Sequence, residues 1–291
     1  MTIALDESTV GHLFACAGKD PYFFELIIRR VYEAILSPGD TAVDGGACGG
    51  IHTFPMAERV GVTGRVHAVE AHPVHAEGLT KKVEAKSLKQ VTMHAVALSN
   101  EAGVGEFVCV KTHPSRSGLR KLDLSFLPVP VETETIQVKR VRLDDIVPAE
   151  TTSWRFCKLD LEGGEYHALM GGRSVIAKHR PFIVFENGRE VAAGPYGYTS
   201  DDWFALFERL NYAVFDLFGR PFTSANWRGG RRIPWYCMAV GRNSRDVDFI
   251  TSSFPHLLKR VVDEFGEPSG RYATQNWWKL RPLLPLESVP S

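Results

Sequence analysis

Asp44 closes an apolar run and is followed by Gly45, Gly46, Gly49 and Gly50, which sets the spacing Asp44-x-Gly46-x-x-x-Gly50. Glycines at a strand end permit backbone conformations closed to other residues and let a ligand approach main-chain N–H groups at a helix N-terminus. Such a cradle suits a carboxylate, a ribose or a phosphate. Glu70 ends the next apolar run, 26 residues after Asp44, where a carboxylate can accept hydrogen bonds from both hydroxyls of a ribose. The pair predicts a nucleoside-containing ligand. Dinucleotide sites use G-x-G-x-x-G with no acid at the strand end. Asp44 would repel a pyrophosphate, but it can meet the ammonium of a methionine moiety directly or through water. Charge matching therefore favours a sulfonium nucleoside over a nicotinamide dinucleotide.

A second group of acids follows another apolar run: Asp160, Glu162 and Glu165 come after "FCKL", and Glu186 ends "PFIVFE". Glu165 has an ordinary explanation, since acids cap helix starts. Asp160 and Glu162 stand at the strand end itself. Carboxylates there can take a proton from a hydroxyl, hydrogen-bond a substrate, or hold a divalent cation such as Mg2+. The residue types leave the three open and do not favour the metal.

The elements that must position these residues alternate. "PYFFELIIRRVYEAIL" carries Phe24, Ile27, Ile28, Val31, Ile35 and Leu36 on one helical stripe, and "SPGD" stops it. From Thr41 the pattern runs strand "TAVDGG", helix "HTFPMAERV", strand "RVHAVE", helix "VHAEGLTKKVEAKS", strand "VTMHAVAL". This is a beta-alpha-beta rhythm, hence a doubly wound, mostly parallel α/β sheet. The strand-like runs "GEFVCV" and "IQVKRVRL" flank a helix-poor insertion at about 111–135, placed over one sheet edge. The rhythm returns with strand "FCKLDL", helix "GEYHALMGGRSVIAKH" and strand "PFIVFE". A loop "NGREVAAGPYGYTS" then leads to helix "DDWFALFERL" and strands "YAVFDLF" and "WYCMAV", an antiparallel edge. Tyr196 and Tyr198 in that loop are candidate stacking platforms for a sugar ring. The expected organisation is an N-terminal helical extension over 1–39, a ligand-binding domain over 40–243, and a C-terminal helix and tail over 244–291.

Composition narrows the partners. The 34 basic and 34 acidic side chains cancel, so no attraction to nucleic acid is implied. No segment reaches eighteen uninterrupted apolar residues, so no membrane span is expected, and the start lacks a secretory pattern. Five cysteines without a C-x-x-C pair read as reduced thiols of a cytoplasmic protein.

Taken in order, "LSPGDTAVDGGACGGIHTF", "GRVHAVEAHP", "AVALSN", "RLDDI", "FCKLDLEGGEYHALMGG" and "RPFIVFENG" resemble the FkbM family of S-adenosyl-L-methionine-dependent methyltransferases, over about Leu36 to Val240. The resemblance implies a class I methyltransferase (Rossmann-like) fold and O-methylation of a small-molecule hydroxylated acceptor: a sugar, a glycolipid or a polyketide-type natural product. It also implies that Asp44, Gly45, Gly46, Ala47 and Gly50 hold the methionine part, Glu70 the ribose, and Ala71, His72, Val96 and Ala97 the adenine, with Asp160 and Glu162 at the transfer site. The chain departs from the family at Cys48, Gly49 and His52, where asparagine, a larger residue and an aromatic are usual. Imidazole titrates near neutrality, which makes His52 a substituted general base beside the carboxylates; a histidine there is more commonly a packing residue. "SRSGLRK" offers Arg116, Arg120 and Lys121 to a phosphorylated or carboxylated acceptor, or simply to solvent. A nicotinamide-dependent oxidoreductase and a catalytically silent cofactor-binding scaffold are the rival readings. A homo-oligomer is left open: the terminal extensions are available for dimerisation or lid formation, and Trp277 and Trp278 are equally explained as ordinary packing onto the domain.

Overall fold

Short apolar runs bounded by Gly, Pro and Asp become buried strands. The computed structural model describes residues 5–20, 22–125, 130–228 and 233–266, so Trp277 and Trp278 lie outside the described residues. Helices α1 (Glu7–Lys19) and α2 (Phe23–Ile35) come first. Then alternate β1 (Thr41–Gly45), α3 (Thr53–Val60), β2 (Arg65–Val69), α4 (Pro73–Ala85) and β3 (Val91–His94). Three strands follow: β4 (Ala97–Leu98), β5 (Gly103–Val110) and β6 (Thr133–Val141). A short helix α5 (Leu143–Ile146) leads to β7 (Trp154–Leu159), α6 (Glu165–Met170), α7 (Arg173–His179) and β8 (Phe182–Glu186). The chain continues through α8 (Glu190–Tyr196), α9 (Ser200–Arg209), β9 (Tyr212–Asp216), α10 (Ser224–Arg228), β10 (Tyr236–Gly241), α11 (Arg245–Asp248) and α12 (Phe254–Gly266).

Seven strands form one sheet in the order β3-β2-β1-β7-β8-β10-β9. The first five are parallel, as the beta-alpha-beta rhythm requires. The antiparallel strand is β10, inserted between β8 and the edge strand β9. Strand order reverses between β1 and β7, and the ends of these strands open the crevice where ligands of such sheets sit. Successive side chains of a strand face opposite sides, and each face has its own core. Ala42, Val66, Ala68 and Phe156 pack under α1, α2, α3 and α12, whereas Val43, Val69, Cys157 and Leu159 pack under α6 to α9.

Three sequence expectations change. "VTMHAVAL" is not one strand: after His94 the chain leaves the main sheet, and Ala97–Leu98 pairs with β6 in a separate three-stranded sheet, β4-β6-β5. The helix expected over "GEYHALMGGRSVIAKH" breaks into α6 and α7, because a Cβ at Gly171 would lie 2.1 Å from the Ser99 carbonyl oxygen and one at Gly172 would lie 2.8 Å from Leu143. The loop after β8 contains α8, and it turns Tyr196 and Tyr198 inward. Tyr198 stacks on Tyr166 at 4.6 Å and on Trp203; both tyrosines are buried, so neither is a platform for a sugar. Among the described residues no helix is long and apolar enough to cross a membrane.

Candidate functional site

The glycine turn after β1 is demanded first by the protein itself. Gly46 has φ +76°, and a Cβ there would lie 1.9 Å from the Asp160 carbonyl oxygen; Gly50 has φ +85°, and its Cβ would meet Leu79 and Phe54. The turn is side-chain-free because β7 and α4 pass so close. The turn is then clamped to the end of β2 by Glu70, whose Oε2 accepts from Cys48 N of the turn at 2.7 Å and whose Oε1 accepts from His72 N at the start of α4 at 2.7 Å. Burial pushes the Glu70 carboxyl up, against the pull of those two N–H groups. Each oxygen retains a second lone pair for a hydroxyl. Asp44 is buried behind the turn. Its Oδ2 accepts from Thr53 Oγ1 at 2.6 Å, while Oδ1 has no partner. A buried acceptor without a donor is costly and suits an ammonium or an ordered water reaching the turn.

This turn forms one wall of a cavity of about 470 Å³. Gly46, Glu70, Ala71, His72, Val96 and Ala97 line it; Asp44, Gly45, Ala47 and Gly50 shape the turn from behind. Cys48, the departure in the turn, also faces the cavity, with Sγ 3.5 Å from His75 Nδ1. Burial and the nearby Glu70 push its thiol up, which keeps it protonated.

The opposite wall carries the carboxylates. One oxygen from each of Asp160, Glu162 and Glu186 lies within 4.8 Å of the others. Arg116, from the insertion, reaches over them: its Nη1 is 3.3 Å from Glu162 and 3.9 Å from Glu186. The cluster thus holds a guanidinium, although 42% of the Arg116 side chain remains exposed. Burial and the charge of Asp160 push Glu162 up to about 7, with Arg116 opposing. Burial pushes Glu186 well above the usual carboxylate range and Glu165 to about 8, although Glu165 accepts from Leu161 N at 2.6 Å. Burial thus opposes the ionisation of Glu186 and Glu165 most strongly. Arg120 spends a guanidinium N–H on its neighbour Leu119, and with Lys121 it borders a second cavity of about 500 Å³ under the insertion, joined to the first through Arg116.

His52 lies at the floor of the first cavity, 1% exposed, with Nε2 2.7 Å from Glu25 Oε2 and Nδ1 3.4 Å from the Tyr32 hydroxyl. Both ring nitrogens thus face groups of α2. Three further residues complete the site and were missed in the sequence. Lys158 is buried in β7 with Nζ 3.1 Å from Asp160 Oδ2. Burial alone would lower its pKa, but Asp160, Glu25 and Asp44 hold it above the ordinary lysine value. Tyr236, at the start of β10, has its hydroxyl 2.8 Å from Glu25 Oε1 and 2.9 Å from Asp160 Oδ2. Glu25 is drawn down to about 2: burial pushes it up, but His52, Lys158 and Tyr236 outweigh that. Lys158 had a readable signal, since a lysine between the apolar Phe156, Cys157 and Leu159 of a buried strand must find a carboxylate. Glu25 and Tyr236 had none.

A family model described as the methyltransferase FkbM domain matches residues 44–214, more than half of the chain. No curated protein matches. Among solved structures the chain is similar to the methyltransferase FkbM from Methylobacillus flagellatus KT, with 16% identity and a TM-score of 0.42 over 72% of this chain and 50% of that one. It is also similar to a SAM-dependent methyltransferase from Aquifex aeolicus (16% identity, TM-score 0.39, 81% of this chain and 97% of that one). A third is a SAM-dependent O-methyltransferase from Thermotoga maritima (11% identity, TM-score 0.38, 83% and 67%). The chain spans half the length of the first of these. On the family model and the strand order together, the chain belongs to the FkbM methyltransferase family and has the class I methyltransferase fold.

Proposed function

We propose that the protein is an S-adenosyl-L-methionine-dependent O-methyltransferase whose acceptor is a hydroxyl of a sugar, glycolipid or polyketide-type natural product. One observation carries the reading: the clamped glycine turn, with its unpartnered Asp44 Oδ1, opens into the same cavity as Asp160 and Glu162. The residues fit the cofactor. Asp44 and the turn would take the amino-acid end, the spare lone pairs of Glu70 the ribose, and the wall of Ala71, His72, Val96 and Ala97 a flat base. When bound, the cofactor supplies a methyl group activated on a sulfonium. The protein's part is to aim an acceptor oxygen and remove its proton, and a positioned base contributes about 10²–10⁴-fold. Asp160 is the first candidate for that base and Glu162 the second. Lys158, below Asp160, is a fixed positive charge that keeps an anionic carboxylate tolerable in a buried wall.

The test is calorimetric titration of the purified chain with S-adenosylhomocysteine, with NADH as control. Micromolar binding of the former alone is expected, and it weakens at least tenfold in Asp44→Ala or Glu70→Ala. Binding of NADH alone, or of neither, overturns the reading and leaves an oxidoreductase or a silent scaffold.

A further inference from the structure

The Tyr236 hydroxyl stands between two carboxylates, 2.8 Å from Glu25 Oε1 and 2.9 Å from Asp160 Oδ2. It has one proton and can serve only one of them at a time. The other must then either face a lone pair or itself carry a proton and donate it to the tyrosine oxygen. Tyr236 is 7% exposed and touches both carboxylates directly, so no water stands between them. Two carboxylates around one hydroxyl is an arrangement with two satisfied states, and they differ by one proton on Asp160.

We propose that Tyr236 is a two-position hydrogen-bond switch that lets Asp160 accept the proton of the methyl acceptor, with Glu25 from the N-terminal helix as the group that receives the tyrosine's hydrogen bond when the switch turns. Before transfer, Tyr236 O–H donates to Asp160 Oδ2, and Glu25 is satisfied through Oε2 by His52. In the transfer the acceptor's O–H proton passes to Asp160 and the electron pair of that O–H bond stays on the oxygen, which gains the methyl carbon as the carbon–sulfur bond breaks and its pair stays with sulfur. Asp160, now a carboxylic acid, donates to the Tyr236 oxygen, and Tyr236 O–H turns to Glu25 Oε1. No charge is placed on the phenol, whose ionisation burial and the surrounding carboxylates oppose. No proton is placed on Glu25, which stays a carboxylate.

The surroundings of each member support this division. Glu25 faces His52 from α3, Tyr236 from β10 and the charge of Lys158 from β7. Asp160 faces Lys158 and Tyr236, with Glu162, Glu186 and Arg116 on its open side. His52, at 1% exposure, also faces Tyr32 from α2. In this scheme Asp160 is the catalytic base, and Tyr236, Glu25 and His52 are positioning residues that act through it. His52 and Asp160, which the sequence offers as alternative bases, are two ends of one network.

The inference rests on the methyltransferase reading, but its test needs no acceptor. In the full chain labelled with [4-13C]aspartate, the Asp160 carboxyl, assigned by its loss in Asp160→Asn, is titrated by NMR. Glu25→Met removes a charge and the second acceptor for the tyrosine proton, and both effects lower the Asp160 midpoint, by about one pH unit or more. The charge effect acts through space and persists without the hydroxyl; the switch does not. The same substitution placed in Tyr236→Phe should therefore shift the midpoint by less than half as much. An equal shift in both backgrounds, or none in either, overturns the switch. The wild-type titration with S-adenosylhomocysteine separates this from failure of the methyltransferase reading, since it is made on the unaltered protein and reads the cofactor cradle alone.

Discussion

Lys158→Met tests the electrostatic design of the site at its base. The ammonium lies 3.1 Å from Asp160 Oδ2, and the two side chains are 3% and 22% exposed. At an effective dielectric of 20 that contact is worth about 5 kcal/mol before desolvation is subtracted. Removing one partner of a buried pair costs about 3–5 kcal/mol because the other charge is left uncompensated. There is also a ceiling. The abandoned site can always take up a proton, and for a carboxyl with an ordinary pKa near 4 this costs about 4 kcal/mol at pH 7 and about 1.5 kcal/mol at pH 5. In the variant the folded state binds a proton more tightly than the unfolded chain does, so its deficit relative to wild type shrinks as pH falls. Urea unfolding of both proteins should show a loss of about 3–4 kcal/mol at pH 7 and about 1.5 kcal/mol or less at pH 5. A loss below about 1 kcal/mol at pH 7, or one of the same size at both pH values, would refute the reasoning.

Gly46→Ala places a Cβ 1.9 Å from the Asp160 carbonyl oxygen at φ +76°, so it should cost at least about 2 kcal/mol and abolish cofactor binding; Gly49→Ala, with nothing nearer than Lys82 Nζ at 3.8 Å, is the control and should stay within about 0.5 kcal/mol by thermal unfolding. His67 and His94 share a hydrogen bond at 3.1 Å between β2 and β3. Burial and the neighbouring His94 lower the pKa of His67 to about 4. That stability is complete above about pH 6.5 and is lost as pH falls towards about 4, a decline of up to about 3 kcal/mol that His67→Phe should flatten in a pH series of melting temperatures. A chain beginning at Asp40 should fail to give a cooperative unfolding transition. Leu26, Ile27, Ile28, Val31 and Tyr32 of α2 are at most 3% exposed, and at about 1.5–3 kcal/mol for each such side chain their loss rivals the whole stability of a domain, about 5–15 kcal/mol. A cooperative transition in that shortened chain would show that α2 is an accessory.

The legible parts of the sequence are those whose cause is local. β1, β7 and β8 are almost wholly buried, so they read as continuous apolar runs. Asp44, Glu70 and Asp160 stand out in the sequence because an acid that ends such a run has few local reasons to be there. The glycines were legible for an incomplete reason: a ligand cradle was inferred, whereas Gly46 and Gly50 first make room for Asp160, Leu79 and Phe54. The break between α6 and α7 was not legible, because the glycine pair there answers to Ser99 and Leu143 in distant segments. Tyr196 and Tyr198 were misjudged for the same reason, since an aromatic in a loop looks exposed until α8 folds it against Tyr166 and Trp203.

Glu25 and Tyr236 are 211 positions apart and meet through one hydroxyl. Glu25 sits on a helix whose apolar stripe fully explains its presence, and nothing in the stripe says that its polar edge enters a cavity. That edge enters because the stripe packs on Ala42 and Phe156 of β1 and β7, the two strands whose ends form the crevice. The same burial that makes α2 part of the core therefore delivers Glu25 to His52, Tyr236 and, through them, to Asp160. A helix placed before the first strand reaches this candidate site because it is first a structural part of the sheet's cover.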